Sequence, residues 1–107
     1  MSRTLERIRE LVTLREVQIS DHGYDELADD NLFVDDLLGG LAAAVVVEDY
    51  PDYHKGPCVL VLQQDGREQP VHVVWGIPKN ASSPAVLVTA YRPDPARWSE
   101  DFLRRQS

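Results

Sequence analysis

The apolar residues of this chain change period once, near residue 44, and that change restricts the fold more than any composition value does. Before it, Leu5, Ile8, Leu11 and Val12 recur at helical spacing, and Leu32, Phe33, Leu37, Leu38 and Leu41 do so again. After it come four β-branched runs, at 44–50, 58–63, 71–75 and 85–91. Each run gives way to turn formers: Pro51, Asp65-Gly66, the loop 76–84 and Pro93. Helices first and strands afterwards predict an α+β fold, with N-terminal helices on one face of a four-stranded antiparallel meander.

Local signals refine this outline. Thr4 is placed to cap a first helix over 4–15, and Asp21 to cap a second that carries His22, Tyr24, Glu26 and Leu27. Residues 17–19 between them read as an extended link or a brief strand. A third helix is expected to end at Gly39-Gly40, where residues without a Cβ can turn left-handed. Asp65-Gly66 marks a hairpin. Pro95 suits the first turn of a closing helix that carries Trp98, Phe102 and Leu103 and ends at Arg104-Arg105, cations matched to the C-terminal dipole.

With 107 residues, 43% hydrophobic and 27% charged, the chain reads as one domain, 1–107, with its own core. Cys58 is the only cysteine, so neither an internal disulfide nor a cysteine zinc cluster is available, and a cytoplasmic location is expected. The first residues lack the apolar stretch of a signal peptide, and no apolar run approaches a membrane span. The net charge of −7 is uneven. Ten acidic residues and no Lys or Arg lie between Asp21 and Asp52, a stretch that repels a phosphate backbone or simply keeps the protein soluble. A nucleic-acid face requires the fold to gather the separated cations, among them Lys55, Lys79, Arg92, Arg97, Arg104 and Arg105.

Phosphate-loop, dinucleotide, zinc-protease and hydrolase motifs are absent, so no cofactor is expected. The histidines His22, His54 and His72 have no His or Cys at metal-ligand spacing, which predicts no metal site. Cys58 opens an apolar strand, where a thiol is usually an inert small hydrophobe. If His72 and Tyr91 share a sheet face, they and Arg92 can supply the base, acid and cation that metal-free RNA cleavage needs. The same pair can equally be a hydrogen-bonded His and Tyr in a half-buried sheet. His22, just inside a helix start, suits a neutral base or a phosphate contact, or a ring packed on the sheet. Lys55 is a second candidate for holding phosphate, and Trp98 is either a stacking platform for a base or a sheet-covering residue.

Ile19-Ser20-Asp21-His22, residues 45–51 ending in Tyr50-Pro51, Pro70-Val71-His72-Val73-Val74, and Val88-Thr89-Ala90-Tyr91-Arg92-Pro93 followed by Trp98 resemble a small bacterial family, the domain of unknown function numbered 4258. That family is similar in layout to RelE-like, BrnT-like and MqsR-like toxins. The resemblance implies a RelE/barnase-like fold and a toxin component of a toxin–antitoxin pair, an endoribonuclease acting without metal. Its implied partner is an antitoxin, in some cases with a zinc-binding finger, and its implied substrate is RNA. His72 and His22 then become base and acid, Tyr91 orients or donates, and Arg92 or Lys55 holds phosphate. Where relatives place an Arg four residues after the helix-opening His, this chain has Glu26, so one transition-state cation is missing. The alternative function is a noncatalytic protein-interaction domain.

Overall fold

The computed structural model describes residues 2–106, so Met1 and Ser107, the ends of the expected domain, lie outside the described residues. The elements are α1 (Arg3–Thr13), β1 (Val17–Ile19), α2 (Asp21–Asp29), α3 (Val34–Gly40) with a 3-10 turn (Leu41–Ala43), β2 (Val45–Tyr50), β3 (Cys58–Gln64), β4 (Pro70–Gly76) and β5 (Ala85–Tyr91). The α+β class is as the period change predicts. The sheet, however, has five strands in the order β1-β5-β4-β3-β2, and the meander covers only β2 to β5. Residues 17–19 form the fifth strand, parallel to β5 through Val17–Ala85, Gln18–Val86 and Ile19–Leu87. Among the described residues, no helix is long and apolar enough to cross a membrane.

Both early helix starts sit one or two residues before the expected caps. Ser2 Oγ accepts from Leu5 N at 3.0 Å, which puts Thr4 inside the first turn, and Ser20 Oγ accepts from Gly23 N at 2.9 Å, with Asp21 just inside α2. Ser20 does more than cap. Its N–H donates to Leu87 O and its hydroxyl to Val88 O, so the start of α2 is tied to β5 where β1 ends.

Gly40 does not end its helix by turning left-handed: its φ is −80° and the backbone continues into the 3-10 turn. It is a site of close approach, because a Cβ there would lie 2.8 Å from Gln64 O. A Cβ on Gly39 would meet nothing within 4 Å. Gly40→Ala is therefore expected to destabilise by about 1–3 kcal/mol, whereas Gly39→Ala should stabilise by up to about 1 kcal/mol. Urea unfolding of the two variants checks the opposite signs. The β3–β4 hairpin likewise places Glu68, at φ 63°, in the left-handed position, while Asp65 Oδ1 accepts from Arg67 N and Gln69 N.

The core lies between the helices and the inner sheet face, where Leu5, Ile8, Leu11, Leu27 and Leu37 meet Val59, Val61, Val71, Val73, Trp75 and Leu87. Gln63 satisfies the polar atoms buried there: it accepts from Trp75 Nε1 at 2.9 Å and donates to Leu37 O at 2.7 Å. Two bulges interrupt simple alternation. Val74 pairs with Thr89 but Trp75 with Leu87, which makes Val88 the extra residue and returns Leu87 and Ala90 to the same inner face. In β2, Val46 pairs with Val61 and Glu48 with Leu60, so Val47 is extra and Glu48 and Tyr50 turn to the outer face.

The closing helix expected after Pro95 is absent. Residues 93–106 form a strap of turns across the outer face, closed by a bridge between Trp98 and Arg105. Side-chain oxygens capture the amides a helix would use. Asp94 Oδ1 accepts from Ala96 N, Asp101 Oδ1 from Leu103 N and from Ser99 Oγ, and Phe102 sits at φ 62°. Ser99 N donates to Arg104 O and Gln106 N to Arg97 O, which folds the segment back on itself.

Candidate active site

His72 lies on the outer face of β4, opposite Leu62 on β3 and Tyr91 on β5, and its exposure is 0% because the strap covers it. Its Nε2 lies 2.8 Å from Phe102 O, a carbonyl that can only accept, so Nε2 carries the proton. In the neutral ring Nδ1 then accepts from the Tyr91 hydroxyl at 3.2 Å. Trp98 closes over the imidazole edge-on, with ring centroids 4.3 Å apart. Burial lowers the His72 pKa, against the opposing effect of the Phe102 bond, and burial raises that of Tyr91. Both imidazole nitrogens are occupied.

Arg105 lies over the Trp98 ring, 4.8 Å from its centroid, and grips Glu48 with two bonds, Nε–Oε2 at 3.2 Å and a terminal nitrogen to Oε1 at 2.9 Å. Hydrogen bonds from Arg105 and, more weakly, Tyr50 hold the Glu48 carboxyl below its ordinary pKa despite partial burial. Tyr50 is pushed upward by burial and by Glu48. On the outer face Glu48 thus joins Arg105 by hydrogen bonds, Arg105 covers the Trp98 ring, and Trp98 packs edge-on against His72, which bonds Tyr91. Beside it runs a groove of about 490 Å³ lined by Tyr91, Arg92, Asp94, Arg97, Trp98 and Arg105.

The structure brings His72, Tyr91, Arg92 and Trp98 into this neighbourhood and leaves His22 and Lys55 outside the groove. His22 is exposed on α2, its Nε2 3.4 Å from Glu26 Oε1. Lys55 is an exposed loop residue on the rim of a separate cavity. Arg92 anchors three elements: its backbone N–H donates to Asp30 Oδ2, its Nε to Asp30 O, and a terminal nitrogen lies 2.9 Å from Asp65 Oδ2. Trp98 is 5% exposed between His72 and Arg105, with no open face on which a base can stack. Glu48 and Tyr50 are the site residues that sequence reasoning missed, as is the pairing of Glu48 with Arg105, which the sequence offers only as a cation.

A family model for a domain of unknown function, DUF4258, matches residues 19–92, well over half of the chain. The chain belongs to DUF4258. No curated protein and no solved structure matches it. The DUF4258 match contains Glu48, His72, Tyr91 and Arg92 and stops where the strap begins, so Trp98, Phe102 and Arg105 lie beyond it. In this DUF4258 chain the outer face is therefore completed by residues outside the matched segment.

The site makes stability depend on pH in a defined direction. Because folding lowers the pKa of His72 from its ordinary 6.5, the unfolded chain binds the proton more readily. The stability that His72 contributes is then full above 6.5 and is lost as pH falls below it toward the folded value. Glu48, also lowered, adds a loss below its ordinary 4.5. Melting temperature is expected to fall between about pH 7 and about pH 5, and less so in His72→Gln. Equal profiles for the two proteins would remove His72 as the cause.

Proposed function

We propose that this chain is the toxin-like component of a toxin–antitoxin pair, a metal-independent endoribonuclease working on the outer sheet face, with a layout similar to RelE/BrnT/MqsR-like toxins and a cognate antitoxin as its partner. What supports the reading is the meeting of a carboxylate, a guanidinium and a tyrosine hydroxyl beside an arginine-lined groove. In this mechanism RNA phosphate enters the groove and takes over the Arg105 fork from Glu48. Glu48 removes the 2′-hydroxyl proton, the oxygen attacks phosphorus, and the P–O5′ bond breaks as the Tyr91 hydroxyl turns its proton from His72 Nδ1 to the leaving oxygen. Arg105, with Arg97 and Arg92 along the groove, stabilises the pentavalent phosphate. Products are a 2′,3′-cyclic phosphate and a 5′-hydroxyl, and solvent returns the proton from Glu48 to Tyr91. His72 acts here as a positioning residue that fixes the Tyr91 hydroxyl, not as the base.

A second reading, a noncatalytic protein-interaction domain, is favoured by the complete burial of His72 and by the net charge of −7. Incubation of the purified protein with total cellular RNA in excess chelator separates the two. Fragments ending in 2′,3′-cyclic phosphate are expected, and no cleavage, with ribosomes added, overturns the enzymatic reading.

A further inference from the structure

The strap covers only part of the outer sheet face. Beyond it lies a second concavity of about 470 Å³, floored by Cys58, Val74, Gly76, Val86 and Val88 and walled by the loop from Tyr53 to Pro57. Its floor is apolar, and burial raises the pKa of the Cys58 thiol, with Asp49 on the neighbouring strand adding to the effect. The wall is built firmly. Gly56 holds φ 120°, where an added Cβ would lie 2.1 Å from Ile77 O, and the loop is pinned by Ile77 N to Pro57 O and Lys79 N to Lys55 O. Lys55 stands on the rim with Lys79 beside it. Both are exposed, and no carboxylate lies within ion-pair distance of either among the described residues. Tyr53, 46% exposed, and Val88, 37% exposed, extend the apolar surface to the edge of the hollow.

We infer that this concavity is the docking site for an acidic segment of a partner protein, one that inserts apolar side chains over Val74, Gly76 and Val88 and sets carboxylates against Lys55 and Lys79. Preformed walls reduce the ordering cost of binding, and an apolar floor with a charged rim is the anatomy of a protein-recognition patch. A nucleobase is a poorer fit. Reading a base edge takes convergent polar groups, and this floor offers none besides a thiol. The site is distinct from the arginine groove, so the inference stands whether or not RNA is cleaved there.

The experiment pans a phage library of random short peptides on the full chain, then titrates the enriched sequences, made synthetically, into methyl-labelled protein. Apolar residues bracketed by Asp or Glu are expected, with shifts confined to the Val74, Val86 and Val88 methyls. Lys55→Glu with Lys79→Glu should weaken binding about tenfold, by reversal of rim charge. Gly76→Ala should weaken it about threefold to tenfold by filling the floor, and its Cβ meets only ordinary contacts at 3.5–3.6 Å, so the fold is kept. Basic or unrelated winners, or none, would overturn the inference, as would binding that ignores the charge reversal. Shifts of the same methyls on adding single-stranded RNA would reassign the hollow to nucleic acid. Shifts that follow protein concentration alone would reassign it to a second copy of the chain.

Discussion

His72→Ala is expected to unfold at a melting temperature about 10–20 °C below the wild type, corresponding to roughly 3 kcal/mol in a domain of this size. The ring it removes is fully buried and bonded at both nitrogens. Alanine leaves a void beneath Trp98 and deprives the Phe102 carbonyl and the Tyr91 hydroxyl of their partner, and an unsatisfied buried acceptor adds its own cost of about 1–3 kcal/mol. The strap, stitched to the sheet through Phe102 and Trp98, should loosen first, with faster amide exchange over residues 97–106. His72→Gln separates the causes, because an amide nitrogen can still donate to Phe102 O, and part of the loss should return. An unchanged melting temperature in His72→Ala would mean that the strap does not depend on the imidazole.

Much of the fold was legible because the pattern carrying it is local. Periods of 3.6 and 2 residues at Leu5-Ile8-Leu11 and in the Val-rich runs are properties of short windows, and α1 and β2 to β5 follow them. The parallel strand β1 was only half legible, since three residues of alternation carry little information and their partner, Ala85–Leu87, lies far along the chain. The missing closing helix has a sharper lesson. Trp98, Phe102 and Leu103 stand at helical spacing, but Asp94, Ser99 and Asp101 each offer an oxygen to a nearby amide, and these local bonds displace the helix. Gly40 misled for a related reason: a glycine next to a helix end reads as a cap, whereas here it makes room for Gln64 O.

The site was legible where alternation alone decided it. His72 opposite Tyr91 follows from the pleat once β4 and β5 pair in register. Glu48 and Tyr50 were hidden by the Val47 bulge, which reverses which residues of β2 face outward, and no short-range signal fixes that reversal. Arg105 was hidden by the helix expectation, which made it a dipole cation rather than the partner of Glu48. The acidic run from Asp21 to Asp52 also concealed a division of roles, since its Asp30 receives Arg92 and its Glu48 receives Arg105.

The largest expected effect on function comes from that hidden pair. If the outer face cleaves RNA by the route proposed above, Glu48→Gln should slow cleavage by about 10²–10⁴-fold, the usual worth of a general base. Its effect on stability should stay within about 1 kcal/mol, because the pair is partly solvated and the Arg105 side chain is 63% exposed. Glutamine keeps the shape and can still accept from Arg105, so what disappears is proton affinity. Arg105→Lys retains the charge but not the two-pronged grip, and should cost about 10²-fold at the same step. The two substitutions together should lose little more than the worse of them, since both act on one transition state. Rates of fragment appearance, with circular dichroism confirming the fold of each variant, measure all three. Cleavage that survives Glu48→Gln but vanishes in Tyr91→Phe would place the base elsewhere, with Asp94, the carboxylate lining the groove, the first residue to test.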